Sequence, residues 1–285
     1  MPWFTFGVVC ILGLVVGSFL NVVIYRVPVM LFKEWKEACD DILQNTPKDL
    51  PTGRFNLAIP NSCCPHCKAK IKPSQNIPVV SFLILKGSCG SCGKPIAARY
   101  PLVELFTGIA SIAILWIFGP TLQGALALIL IWVLIALTMI DIDHQLLPDN
   151  ITLPLMWLGL SCNLFNVYTD INSAVIGAIA GYLSLWSVYW IFKLVTKKEG
   201  MGYGDFKLLA ALGAWMGWQY LPVIIILSSF VGAAFGIVGM LFSGKDKEWR
   251  IPFGPYLAIA GVIALFWGDA IIAQYLSFSG LTPQP

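Results

Sequence analysis

Long apolar runs alternate with polar segments along most of this chain. A helix needs about 20 consecutive apolar residues to cross the hydrocarbon core of a bilayer, and eight runs reach or approach that length. The sixth run is short and rich in glycine and alanine, so we expect it to be tilted or to cross only part of the membrane. The eight predicted spans cover residues 4–25, 101–119, 122–140, 150–168, 173–195, 206–219, 221–242 and 254–276.

The long stretch at residues 26–100 follows the first span and is too polar to cross a membrane. Its first half mixes charged residues with Trp35 and Leu50 and could hold a short helix. The first span has no basic segment before it, and its apolar run is longer than the core of a secretory signal. We therefore expect the first span to be retained as a transmembrane helix.

Composition agrees with a membrane protein. Hydrophobic residues make up 58% of the chain and charged residues only 12%, and the mean hydropathy is +0.78. A soluble domain carries about 25% charged residues. The 11 Trp and nine Tyr suit the aromatic belts that lie at both membrane interfaces. We therefore predict an all-α polytopic membrane protein with about eight transmembrane helices.

The basic residues predict the orientation. If the spans alternate in direction, residues 26–100, 141–149, 196–205 and 243–253 lie on one side of the membrane. All 18 Lys and Arg fall on that side or at the helix ends that border it. Basic residues concentrate in cytoplasmic loops, so this side is predicted to be the cytoplasm, with both termini on the opposite side.

Four cysteines in the polar stretch predict a metal site. Cys64 and Cys67 form one Cys-x-x-Cys pair, and Cys89 and Cys92 form a second. This spacing resembles a zinc ribbon, in which four thiolates around one Zn²⁺ fold a small module that has no large core. A redox pair and unliganded cysteines remain alternatives, and Cys63 offers a second register for the first pair. A disulfide is disfavoured in the reducing cytoplasm.

The resulting domain organisation has three parts. They are a first transmembrane helix at 1–25, a cytoplasmic segment at 26–100 with the zinc-ribbon-like module at about 61–100, and a transmembrane core at 101–285.

Two polar islands at the edges of apolar runs carry the candidate chemistry. Residues 141–149 read DIDHQLLPD, and residues 200–207 read GMGYGDFK. Ionisable groups at a membrane are rare and usually functional. Asp141 directly follows the third span and Asp205 directly precedes the sixth, so we expect two helix ends to bring these carboxylates together as an acid–base pair. The glycines at 202 and 204 permit backbone angles and close approaches that side chains forbid.

The other polar residues of the first island have plainer interpretations. Asp149 or Asn150 is expected to cap the fourth span. Asp143 is expected either to support the pair or to lie exposed in a loop. His144 is expected to be a surface or hydrogen-bonding residue and not a metal ligand.

Two carboxylates that share one proton can activate a water for peptide hydrolysis. The ionised group takes a proton from water and the protonated group donates to the scissile bond. Helix dipoles suggest an assignment, because a helix N-terminus favours a carboxylate and a C-terminus favours the neutral acid. This predicts that Asp205 is the base and Asp141 the acid. Because the two carboxyl groups titrate jointly, the assignment is a preference for the proton to reside on Asp141 and not a separate protonation state for each residue.

Taken together, these features resemble those of the type IV prepilin leader peptidases, aspartic proteases of bacterial inner membranes that serve type IV pili and type II secretion. The resemblance runs nearly from end to end. It includes both aspartate islands, both Cys-x-x-Cys pairs, and the segments GSFLNVVIYR at 17–26, NIP at 76–78 and RYPLVE at 99–104.

The resemblance implies a two-step reaction. The enzyme removes a short basic leader from prepilins and related pseudopilins, and then methylates the new N-terminal amine with S-adenosylmethionine. It implies that Asp141 and Asp205 carry cleavage and that the four cysteines bind Zn²⁺. The expected partners are these substrates and membrane lipid, with no nucleic acid.

No glycine-rich fingerprint for a nucleoside cofactor is visible, so the methylation site residues are not assigned. Residues 26–100, with Asn21, Arg26 and Glu104 at their membrane border, are the expected location. A transporter and a non-catalytic scaffold are the rival classes. A transporter would carry its acids near mid-helix, and a scaffold would leave the two aspartates without a role.

Overall fold

The computed structural model describes residues 3–43, 54–198, 200–243 and 252–279. Nearly all of the described chain outside the cysteine-rich segment is helical, and no β-strand occurs in the described ranges. Most of the predicted cytoplasmic loop at 243–253 lies outside the described residues. The helices are α1 (Trp3–Leu43), α2 (Val80–Ile84), α3 (Arg99–Phe118), α4 (Leu122–His144), α5 (Asp149–Asn163), α6 (Ile171–Thr196), α7 (Tyr203–Met216), α8 (Leu221–Ser243) and α9 (Gly254–Phe278).

Eight of these helices correspond to the eight predicted spans, which confirms the all-α membrane fold. Six of the described helices are long and apolar enough to cross a membrane: α1, α3, α4, α6, α8 and α9. The other two, α5 and α7, have only 15 and 14 residues. The sixth predicted span is thus short, as its composition indicated, and the fourth is shorter than predicted.

The first helix extends well beyond the predicted end at residue 25. It continues through Pro28, which lacks an N–H but leaves the helix unbroken, and ends at Leu43. The predicted short helix in the first half of the polar stretch is therefore in part a continuation of α1.

The chain forms two compact units, residues 1–136 and 137–285. In the first unit, α1 packs along α3, and the Trp132 Nε1 of α4 donates to Ser111 Oγ of α3 at 2.9 Å. Residues 54–98 form the cysteine-rich module and the short helix α2.

The second unit is built around α7, which is buried almost throughout. Helices α5 and α6 pack against it most extensively, and α9 also contacts it. At the contact with α6, a Cβ added to Gly177 would lie 2.3 Å from the carbonyl oxygen of Gly213. Helices can approach this closely only where side chains are absent. The short α7 is therefore enclosed by its neighbours, which explains how a 14-residue helix is stable here.

Candidate functional site

The two predicted catalytic aspartates lie in the second unit at opposite kinds of helix end. Asp141 is in the last turn of α4, and Asp205 is in the first turn of α7. Both side chains are buried, with 4% and 6% of their surface exposed. The aspartates are near enough to interact electrostatically.

Each carboxylate accepts a hydrogen bond from the backbone of a glycine. The N–H of Gly202, at the N-cap of α7, donates to Asp205 Oδ2 at 3.2 Å. The N–H of Gly254, the first residue of α9, donates to Asp141 Oδ2 at 2.9 Å. Both aspartates are therefore held at a helix N-terminus, where backbone donors and the helix dipole favour a negative charge.

This arrangement bears on the assignment of acid and base. The sequence placed Asp141 only at the C-terminus of its own helix, where the dipole favours the neutral acid. The N-terminus of α9 adds an opposing contribution, because Gly254 donates directly to the Asp141 carboxylate. The assignment of Asp205 as base and Asp141 as acid therefore stays a prediction, and the preference is weaker than the sequence suggested.

Two glycines of the site lie too close to neighbouring side chains to carry a Cβ. A Cβ added to Gly254 would lie 2.7 Å from Asp141 Oδ2, and one added to Gly204 would lie 2.7 Å from the Cβ of Leu147. Leu147 is buried and sits between these two glycines. Neither Gly202 nor Gly204 has a positive φ, so the expected close approach occurs at Gly204 but unusual backbone angles do not. Local sequence pattern does not indicate a role for Leu147 or Gly254 in the site.

The remaining residues of the first island have separate roles. Asp143 and His144 are exposed within the last turn of α4. The prediction that Asp149 or Asn150 caps the fourth span is wrong, because Pro148 occupies the N-cap and no side chain caps the helix. Asp149 instead binds Lys207 of α7, whose Nζ lies 2.6 Å from both carboxylate oxygens. This ion pair joins the N-terminal parts of α5 and α7.

The four cysteines of the first unit form one cluster. The Sγ atoms of Cys64, Cys67, Cys89 and Cys92 all lie within 4.8 Å of one another. The Sγ atoms of Cys64 and Cys92 are 3.9 Å apart, too far for a disulfide. A tetrahedral Zn²⁺ with Zn–S bonds of about 2.3 Å requires Sγ–Sγ distances of about 3.8 Å. The cluster therefore has the donor set and spacing of a four-thiolate metal site, and Cys63 is not part of it.

Both Cys-x-x-Cys segments fold into the same turn. In the first, the N–H of Lys68 donates to the carbonyl of Cys64, and the N–H of Cys64 donates to the carbonyl of Ala69. In the second, Gly93 and Lys94 make the same two bonds with Cys89. Lys68 and Gly93 both have a positive φ, at 59° and 69°. The module is therefore an internal repeat of two knuckles that face one another.

Backbone donors favour the thiolate form of the first cysteine in each knuckle. The N–H groups of Cys67 and His66 lower the pKa of Cys64 to about 6. Those of Ser91 and Cys92 lower the pKa of Cys89. Since metals bind the thiolate and not the thiol, the first cysteine of each knuckle is favoured as a deprotonated ligand. At Cys92 the N–H of Lys94 is outweighed by burial and by the other three cysteines, which raise the pKa of Cys92 to about 11.

Each of the three residues expected at the membrane border of residues 26–100 forms a side-chain hydrogen bond with the backbone of that stretch. Asn21 Nδ2 donates to the carbonyl of Tyr100, and the buried Arg26 donates to the carbonyls of Asn56 and Pro60. Glu104 accepts the N–H of Val79 at 2.7 Å. Beside Arg26 lies a polar cavity of about 320 Å³. Its lining residues are Arg26, Leu57, Ala58, Asn61, Ser62, Ile71, Pro73 and Asn76.

Comparison with known sequences gives matches over both units. Residues 11–118 match the family described as the bacterial Peptidase A24 N-terminal domain, and residues 128–237 match the type IV leader peptidase family. No solved structure gives a significant match.

Several relatives named "Prepilin leader peptidase/N-methyltransferase" are similar over nearly their full length. The protein from Aeromonas salmonicida is 55% identical over 97% of this chain and 96% of its own. The protein from Pseudomonas aeruginosa is 54% identical over 95% and 93%, and the one from Legionella pneumophila is 48% identical over 97% and 96%. The chain therefore belongs to the type IV leader peptidase family.

Proposed function

We propose that this chain is a bifunctional membrane enzyme that removes the leader peptide from type IV prepilins and related pseudopilins and N-methylates the new N-terminal residue. The observation that carries cleavage is the pair of buried aspartates, Asp141 and Asp205, each bound by a backbone N–H. The names of relatives up to 55% identical support both activities.

Cleavage needs the two carboxylates to hold one proton between them. Two buried carboxylates that interact cannot both ionise at low cost, so one stays protonated. The ionised aspartate takes a proton from a water as that water's oxygen attacks the scissile carbonyl carbon, while the protonated aspartate donates its proton to the carbonyl oxygen. Collapse of the tetrahedral intermediate breaks the C–N bond, and the amine leaves with a proton from the pair.

The proposed location is the bacterial inner membrane, with the aspartates and the long polar segment on the cytoplasmic side. The confinement of all 18 basic residues to one predicted side supports this orientation. A substrate with a basic leader in the cytoplasm and an apolar stem in the bilayer would then present its cleavage site at the depth of the aspartate pair. The position of both aspartates at helix ends also disfavours a transporter, whose acids would lie near mid-helix.

Zn²⁺ is the proposed metal of the cysteine cluster. Four thiolates at tetrahedral spacing form a closed set that leaves no open coordination position, which is typical of a structural zinc site. Cys64, Cys67, Cys89 and Cys92 would hold the ion, and the ion would join the two knuckles.

S-adenosylmethionine is the proposed methyl donor, as the name of the relatives implies. The cavity beside Arg26 is our candidate for its site. A carboxylate and an amine need polar partners, and Arg26, Asn61 and Asn76 supply a cation and two amides there. Calorimetric titration of the protein with the donor measures binding without relying on turnover.

Cleavage of a reconstituted prepilin tests the role of the aspartates. We expect the unaltered enzyme to release the leader and Asp141→Asn and Asp205→Asn each to abolish release. Mass spectrometry of the product with S-adenosylmethionine present should show the mass gain of one methyl group. Retained cleavage in either variant removes that aspartate from the mechanism.

The same two variants test the acid–base assignment. An infrared band of a protonated carboxyl should disappear in Asp141→Asn and persist in Asp205→Asn. The opposite pattern reverses the assignment.

A further inference from the structure

A second cavity lies in the same unit as the aspartates. It has a volume of about 330 Å³, at the lower end of the range for small-molecule pockets. Its walls come from α6, α8, the first turn of α9 and the segment before α7. The lining residues are Leu185, Val188, Met201, Ile225, Ser229, Gly232, Ala233, Phe253 and Tyr256.

The cavity adjoins the backbone that holds both aspartates. Met201 directly precedes Gly202, whose N–H binds Asp205, and Phe253 directly precedes Gly254, whose N–H binds Asp141. A ligand that contacts both Met201 and Phe253 therefore lies one residue away from each glycine whose N–H binds a carboxylate.

The walls are apolar, with no charged side chain among the lining residues. On α8 the cavity is bordered by three small residues, Ser229, Gly232 and Ala233. Small residues let another membrane helix or its side chains come close to the backbone. From Ile225 to Ala233 the wall extends over about 12 Å of helix rise. The cavity is therefore an elongated apolar groove that runs along α8.

We propose that this groove holds the apolar segment of the substrate that follows the scissile bond, with its first large side chain against Met201, Phe253 and the small face of α8. This inference rests on the proposed function, because cleavage at the aspartate pair requires a peptide stem in the membrane beside it. A lipid acyl chain matches the walls equally well but has no amide to present to the carboxylates. A peptide stem in the groove places the scissile amide, which directly precedes the stem, at the two carboxylates. The lining residues are then specificity-determining.

Filling the groove tests this role, and α8 offers a matched pair of positions. Ala233 and Ala234 are both exposed, but only Ala233 lines the groove. We expect Ala233→Leu to raise KM for a full-length prepilin by about tenfold or more while kcat changes by less than about threefold, since the added atoms displace the stem and not the reacting groups. Ala234→Leu should leave both constants within about twofold of the unaltered enzyme.

The outcomes separate this inference from the proposed function. If the unaltered enzyme cleaves no prepilin, the proposed function fails. If it cleaves, and Ala233→Leu has the same KM as Ala234→Leu, the groove inference alone is overturned. A thermal melt of both variants identifies a loss of folding.

Photo-crosslinking tests the inference without altering the groove. A prepilin that carries benzoylphenylalanine at the first position after the cleavage site is bound to the Asp205→Asn variant, which should retain it uncleaved. We expect mass spectrometry to map the crosslinks to α8 or to Met201 and Phe253. Crosslinks confined to residues that do not line the groove overturn the inference. So does labelling of the groove by a photoreactive phospholipid that an excess of prepilin does not displace.

Discussion

At the scale of single residues, Gly254 is the position where one methyl group has the largest expected effect on cleavage. A Cβ at this residue would lie 2.7 Å from Asp141 Oδ2 and 3.2 Å from a methyl carbon of Leu147. We expect Gly254→Ala to displace the Asp141 carboxylate and to lower the rate of prepilin cleavage by about 100-fold, because a shift of about 1 Å at a catalytic group costs that much.

The matched control for this substitution is Gly7→Ala in α1, where an added Cβ has no neighbour within 4 Å. Cleavage by that variant should equal that of the unaltered enzyme. A Gly254→Ala enzyme with full activity would show that the hydrogen bond to Asp141 does not position the carboxylate.

The same residues show which parts of the site could be predicted from sequence. Asp141 and Asp205 stand out because ionisable residues at the ends of apolar runs are rare. Gly254 carries no such signal, since a glycine beside a proline at the start of a span is ordinary. Its role depends on the folded contact with a residue 113 positions earlier, and local pattern contains no information about that contact. Leu147 is hidden for the same reason.

At the scale of helices, Asn163 fixes the end of α7 that is opposite Asp205. Its Nδ2 donates to the carbonyls of Ala214 and Trp215, which lie in the last turn of α7, and its Oδ1 accepts the N–H groups of Tyr168 and Thr169. The last carbonyls of a helix have no intrahelical partner. This one fully buried amide therefore satisfies four backbone groups that would otherwise be unpaired.

We expect Asn163→Ala to destabilise the second unit by at least about 2 kcal/mol, because each buried group left unsatisfied costs about 1–3 kcal/mol. Thermal unfolding in detergent should show a melting temperature lower by roughly 4 °C or more. Ser161→Ala on the same helix is the control, since its hydroxyl is exposed and bonds only within the helix. Equal melting temperatures for the two variants would contradict the capping role of Asn163.

Helix lengths also show what sequence pattern can and cannot determine. The apolar runs predicted the number of helices, because a bilayer demands that backbone groups be satisfied within each span. They did not predict the 15-residue length of α5, since the apolar residues after Asn163 form a turn whose backbone binds the Asn163 side chain. Nor did they predict that α1 continues past Pro28, because local propensity alone favours a break there.

At the scale of the molecule as a whole, the candidate sites belong to different compact units. The cysteine cluster and the polar cavity lie within residues 1–136, and the aspartates and the apolar groove lie within residues 137–285. Each unit therefore contains its candidate site entirely. This division suits an enzyme that carries out two reactions on one substrate.

The cysteine module should consequently depend on metal while the membrane helices do not. Its described residues form two knuckles and a short helix, with Cys64 as the one buried hydrophobic residue between positions 54 and 98. A module with so little core takes its folding free energy from the metal. We expect chelation to make residues 54–98 sensitive to limited proteolysis, whereas far-ultraviolet circular dichroism should show nearly unchanged helix content, because the long helices are stabilised by the bilayer and by one another.

Two adjacent cysteines provide the matched pair for this prediction. Cys64 belongs to the cluster, and the exposed Cys63 does not. Metal analysis should find one Zn²⁺ per chain in Cys63→Ser and close to none in Cys64→Ser, because three remaining thiolates cannot close the tetrahedral site. Loss of metal from Cys63→Ser with retention in Cys64→Ser would make Cys63, and not Cys64, the ligand. That result would contradict the matching hydrogen bonds of the two knuckles, in which Cys64 and Cys89 hold equivalent positions.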